Sequence, residues 1–128
     1  MSFNEASILK KRAMDFLDEA GHLIDVKKYD LAVFNMEQYC ELILKYKMLI
    51  RLGYYSGTSS LKELLNKLSE LESNLNNFLN DEKNILYLGR LPDADISTRC
   101  VAVEFDEAET ENIYNFVMGA FNKYVNKL

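Results

Sequence analysis

Lys45, Lys47, Arg51, Arg90 and Arg99 are the side chains of this sequence whose type and position could do chemistry. The first three fall on one stretch with a helical apolar period, and the two later arginines flank the longest stretch without one. Cations on separate elements are a common means of holding a phosphate, because ammonium and guanidinium groups donate charge-assisted hydrogen bonds to its oxygens. Taken singly, each reads most simply as a solvated surface charge. Lys45 also has Glu41 at the i,i+4 spacing of a helical ion pair. Arg90 is less ordinary. It follows Gly89, which reads as a helix end, and precedes Leu91-Pro92, so its backbone is constrained. A constrained arginine on a loop is a suitable anion ligand. The expected anion site is therefore Arg90 with Lys45, Arg51 and Arg99.

Other chemistry finds little support. A serine or cysteine nucleophile needs a base beside it, and the one histidine, His22, falls in the last turn of the first helical segment with no visible partner. Cys40 and Cys100 match no metal-site spacing, and the Glu-x-x-His pairs of metal-binding bundles are missing. The acidic run Glu104, Asp106, Glu107, Glu109 and Glu111 reads as a solvated face and a capped helix start. No glycine-rich phosphate loop occurs. No catalytic residue, metal or cofactor is expected.

These side chains must be placed by helices. The chain has 128 residues, 48% hydrophobic and 27% charged, which suits one globular domain over residues 1–128 with a real core. A single proline and five glycines leave long uninterrupted stretches. Ala6, Leu9, Ala13, Phe16, Leu17, Ala20 and Ile24 predict a helix over about residues 3–24. Over 29–52, Ala32, Met36, Tyr39, Ile43, Tyr46 and Ile50 form a heptad seam, and Leu31, Phe34, Leu42, Leu49 and Leu52 a second one. A helix apolar on two sides is either central in a bundle or shared between the core and a dimer interface, and the shared arrangement is favoured.

Gly53 to Gly57 ends that helix, and Ser60-Leu61-Lys62-Glu63 reads as a reciprocal capping box opening a third over 60–72. A fourth covers 75–88, unless the two are one bent helix. Residues 89–105 are irregular, with a short extended piece over Arg99 to Phe105. Asp106 to Glu109 then starts a last helix on an acidic turn. The expected fold is all-α: an up-and-down antiparallel bundle of four long helices, with a fifth if the break near Ser73 is real.

The net charge of −5 gives no global basic surface for nucleic acid, so phosphate contact must be local. No apolar run approaches the ~20 residues that span a bilayer, and the first residues have no signal-peptide core. A soluble cytoplasmic protein with free thiols is expected, a Cys40–Cys100 bridge remaining open.

The run from Tyr29 to Lys45, with its Tyr29-Asp30-Leu31-Ala32 start and with Gln38, Glu41 and Lys45 spaced behind it, resembles the second helix of HEPN domains (higher eukaryotes and prokaryotes nucleotide-binding). Thr58 to Leu65 is similar to the start of the family's third helix, and Gly89-Arg90-Leu91-Pro92-Asp93-Ala94 to its Arg-Tyr-Pro-Asp segment. The resemblance extends over about residues 5–127. It implies an up-and-down bundle, frequently dimeric, associated with nucleotide or RNA binding and often acting beside a small nucleotidyltransferase. Some members are ribonucleases, including toxins of toxin–antitoxin pairs, and use an arginine and a histidine with four to six residues between them. Here Asp95, Ile96 and Ser97 follow Arg90, and Glu104, Phe105 and Asp106 follow Arg99, so that histidine is missing. The resemblance thus favours a non-catalytic nucleotide- or nucleic-acid-binding module and homodimer, the alternative being a divergent ribonuclease.

Overall fold

The computed structural model describes residues 3–95 and 103–128. The three- and four-residue apolar steps produce α1 (Phe3–Asp25), which buries Ala6, Leu9, Ala13, Leu17, Ala20 and Leu23. Ala13 and Ala20 carry only a methyl group and are fully buried, so the following helix packs closely along this face. The chain reverses through a tight helix end: Lys28 N–H donates to the Leu23 carbonyl at 2.8 Å, and Lys27 N–H to that of Ile24 at 3.0 Å. Lys27 takes the left-handed conformation this turn needs, with φ of 62°.

The central helix, α2 (Tyr29–Leu52), packs against α1, α3, α6 and the turn after α5. It stops at Gly53, whose φ is 82° and whose N–H donates to the Leu49 carbonyl. The first expected seam is in the core through Ala32, Met36, Tyr39 and Ile43. The second buried side differs from expectation. It runs through Val33, Leu44 and Met48, on a helix that α3, α6 and the turn after α5 pack against as well as α1. Of the expected second seam only Leu49 is buried, and Leu31 is 53% exposed.

α3 (Leu61–Ser69) begins on Ser60, whose hydroxyl accepts from Glu63 N–H at 3.3 Å. The reciprocal half of the capping box is replaced, since Ser60 N–H donates to Thr58 Oγ1. The expected helix over 75–88 is two helices, α4 (Asn74–Leu79) and α5 (Glu82–Arg90). Asp81 caps α5 by accepting from Lys83 and Asn84 N–H, and the buried Asn84 amide donates to the Phe78 carbonyl. A side chain that satisfies the free donors of a new helix start stabilises a break at that point. Gly89 does not end α5, which runs on through Arg90. Leu91–Ala94 then forms a 3-10 turn with Pro92 in its first positions, where no N–H is required.

The last helix starts on Asp106, which accepts from Glu109 N–H at 2.7 Å, as the acidic first turn predicts. It comprises α6 (Glu107–Phe116), a π-helical segment over Val117–Phe121, and α7 (Asn122–Val125). The π segment has no counterpart in the expected pattern. Phe78 lies at the centre of the core, 5.9 Å from the Phe116 ring and 5.4 Å from that of Tyr124. Among the described residues no strand forms, so the molecule is an all-α helical bundle. Of the piece expected to be extended, residues 99–102 lie outside the described residues, and Val103 to Phe105 join no regular element.

Candidate functional site

Arg90 ends α5 with its guanidinium surrounded by acceptors. Nε donates to Glu109 Oε2 at 2.7 Å and Nη2 to Glu109 Oε1 at 3.0 Å, a two-point fork on one carboxylate. Nη1 reaches Asp93 Oδ2 at 3.3 Å, and Nη2 also donates to the Glu104 carbonyl at 3.1 Å. The plane lies 4.1 Å from the Phe105 ring centre. Phe105 is buried, and its N–H donates to Asp30 Oδ1 at 2.7 Å. Arg90 thus ties the end of α5, the returning chain at Glu104 and Phe105, and the first turn of α6 into one knot, with Asp30 of α2 as its fourth corner. The hydrogen bonds to Glu109 hold the guanidinium protonated even more firmly than usual.

The other expected cations have different partners. Lys45 is buried and its Nζ lies 3.0 Å from Glu41, the helical pair that the spacing implied. Arg51 is exposed and donates to the Leu128 backbone oxygen at 3.0 Å. No partner is shared among Arg90, Lys45 and Arg51, so their contacts do not build a common cleft. Arg99 lies outside the described residues, as does Cys100. Cys40 is a free, buried thiol, and burial pushes its pKa well up, away from the reactive thiolate. His22 is exposed near the end of α1. No cluster of histidine, cysteine and carboxylate side chains among the described residues could hold a metal ion.

Two features escaped the sequence reading. The first is Glu37, one turn before Glu41 on α2 and only 3% exposed. Burial pushes its carboxyl up to about 7; Gln38 Nε2, donating at 2.8 Å, opposes that, and the negative charges of Glu41 and Asp95 add to it. Glu37, Glu41 and Lys45 follow one another at four-residue steps, a signal visible in the sequence. Their burial is set by tertiary packing, since α2 is packed against α1, α3, α6 and the 3-10 turn.

The second is a cationic face between α1, α2 and the π segment. Lys10 and Lys47 ammonium groups lie 5.6 and 5.9 Å from the Tyr46 ring centre. Partial burial lowers the Lys47 pKa, and the positive charges of Lys10 and Arg51 lower it further. Neither lysine has an ion-pair partner among the described residues. The two stand beside a hollow of about 250 Å³ whose walls include Leu17, Ile43, Met118 and Asn122. Of the cations singled out in the sequence, Lys47 and Arg51 reach this face; Lys10 does not stand out from other lysines until α1 is packed on α2.

The fold and the Arg90 knot define an all-α bundle closed by an arginine clamp between its fifth and sixth helices. The chain belongs to the HEPN domain family, whose model matches residues 6–128. No curated protein and no solved structure gives a match. Membership of that family supports a nucleotide- or RNA-related module. No helix among the described residues is long and apolar enough to cross a membrane.

Proposed function

We propose that this HEPN domain is a non-catalytic module that binds a nucleotide or nucleic acid through the cationic face of α1 and α2. The observation that carries this reading is the meeting of Lys10, Lys47 and Arg51 in a chain of net charge −5, with no carboxylate paired to either lysine among the described residues. Grouping like charges costs stability, and a bound anion removes that cost. Arg90, Lys45 and Arg99 were the other expected ligands. Arg90 and Lys45 already hold internal carboxylates, so their part in this proposal is to set the fold that presents the face.

Fluorescence anisotropy with labelled single-stranded RNA and nucleotides, repeated over a salt series, tests the module reading. Binding that weakens with salt is expected, because phosphate contacts release counterions. Absence of binding to any of them at low salt removes the proposal.

The divergent-ribonuclease reading has one observation in its favour. Burial pushes the Glu37 carboxyl up to about 7, a range that suits a general acid or base. Its near-complete burial weighs against contact with RNA. Incubation with structured RNA beside Glu37→Gln and Arg90→Ala variants separates the two: cleavage that both variants abolish while remaining folded favours the enzyme. A homodimer through exposed Leu31 and half-buried Phe34 and Leu42 of α2, and a small nucleotidyltransferase partner, belong to the same proposal. Light scattering of the wild type and a Leu31→Glu variant tests the dimer, which the charge should split. Co-purification with a nucleotidyltransferase tests the partner.

A further inference from the structure

The hollow beside Lys10 and Lys47 has the composition of a small-ligand site, apolar walls with a few converging polar groups. Its volume of about 250 Å³ lies just below the ~300–1,000 Å³ usual for such sites, so a ligand seated there stays partly exposed at the mouth. Leu17 and Ile43 are buried in its wall, whereas Met14 and Met118 remain 41% and 45% exposed at its mouth. Thioethers are polarisable and adapt to the face of an aromatic ring. Met118 is presented by the π segment, an irregularity that recurs at functional sites because it moves side chains out of helical register.

The polar groups are arranged for a ligand with an uncharged hydrogen-bonding edge. Tyr39 donates its hydroxyl proton to Asn122 Oδ1 at 2.6 Å. That bond fixes the amide so that its NH2 group is the end left to a ligand. Asn126, one turn further on and exposed, adds a second amide to the lining. The lysines supply the charge for an anion at the entrance. No carboxylate lines the hollow among the described residues.

The geometry points to this hollow as a binding site for a nucleoside monophosphate, with Lys10 and Lys47 on the phosphate and Met118 and Asn122 on the base. This assignment rests on the module reading above and goes further, by naming one hollow and one ligand class. A free phosphate would use the lysines alone, and an uncharged nucleoside the walls alone; only the joined molecule uses both.

Calorimetry at low salt with the four ribonucleoside monophosphates, adenosine and inorganic phosphate tests it. The proteins are the wild type, Lys10→Ala, Lys47→Ala, Met118→Asp, and Lys67→Ala on α3 as a charge-matched control, each checked for helix content. At least one monophosphate should bind about tenfold or more tightly than adenosine or phosphate. Each lysine removal should weaken it about tenfold, the scale of a charge-assisted contact, and Met118→Asp at least as much. Lys67→Ala should bind as the wild type does. Monophosphate binding unchanged in the lysine and Met118 variants overturns the hollow and leaves the module reading intact. RNA binding without any mononucleotide binding does the same. No binding of RNA or nucleotide overturns both.

Discussion

At the junction of α5 and α6, the Arg90 guanidinium gives its protons to Glu109, Asp93 and the Glu104 carbonyl and lies against the Phe105 ring. On the face of α1 and α2, Lys10 and Lys47 have an aromatic ring beside them and no carboxylate paired to them among the described residues. Both regions are built around cations, and the sequence marks the first far more strongly than the second. Charge and a constrained backbone therefore identify an arginine that matters without saying what it matters for. A cation whose acceptors are internal holds elements together. A cation whose neighbours are other cations has its interaction energy still to be gained from outside.

The contrast is open to direct attack. Arg90→Ala should have the largest effect, lowering stability by about 2–4 kcal/mol in urea denaturation, because it leaves Glu109 without its fork and uncovers Phe105. Arg90→Lys should recover less than half of that, since one ammonium group cannot satisfy both carboxylate oxygens and stack on a ring. A loss under about 1 kcal/mol for Arg90→Ala would mean that the guanidinium is not a structural clamp.

Glu37→Gln should come next, with opposite sign. The carboxyl rises from 4.5 to about 7 on folding, so the folded protein holds a proton that the unfolded chain releases. Stability attributable to this group is complete below about pH 4.5, falls as pH rises to about 7, and is lost above that. Glutamine cannot ionise. The variant should be more stable than the wild type by roughly 2 kcal/mol at pH 8 and indistinguishable from it near pH 4.5, read from denaturation midpoints across that range. An equal advantage at both pH values would assign the gain to packing instead.

Asp106→Ala removes the cap that starts α6 beside the clamp and should cost about 1 kcal/mol. Lys10→Ala and Lys47→Ala should have the smallest effect, within about 0.5 kcal/mol of the wild type and inclined towards stabilisation, since each relieves a neighbouring positive charge. If Lys47→Ala cost more than about 1 kcal/mol, its face would be structural too, and the contrast with Arg90 would disappear.

Much of the bundle could be read directly from the order of residues. The bounds of α2 match, the Gly53 stop, the forward half of the Ser60 cap and the Asp106 cap form as read, and Lys45 pairs with Glu41 four residues away. All of these rest on partners within one or two turns, where helical geometry leaves little choice. Errors begin where local signals compete. The asparagine-rich segment carries several weak breakers, and the one that acts is Asp81, because its carboxylate caps α5 while Asn84 is drawn back to Phe78. Gly89 carries the usual stop signal and yet stays helical.

Spacing and periodicity along this chain settle where helices run and which stripe of each is apolar, because these are interactions between near neighbours. They do not settle which acceptor meets Arg90, since Glu109 is 19 positions away, or that Lys10 of α1 and Lys47 of α2 flank one ring. Those encounters follow from how the helices pack. Packing is governed by apolar area and shape, which are indifferent to the charges carried along on the other faces.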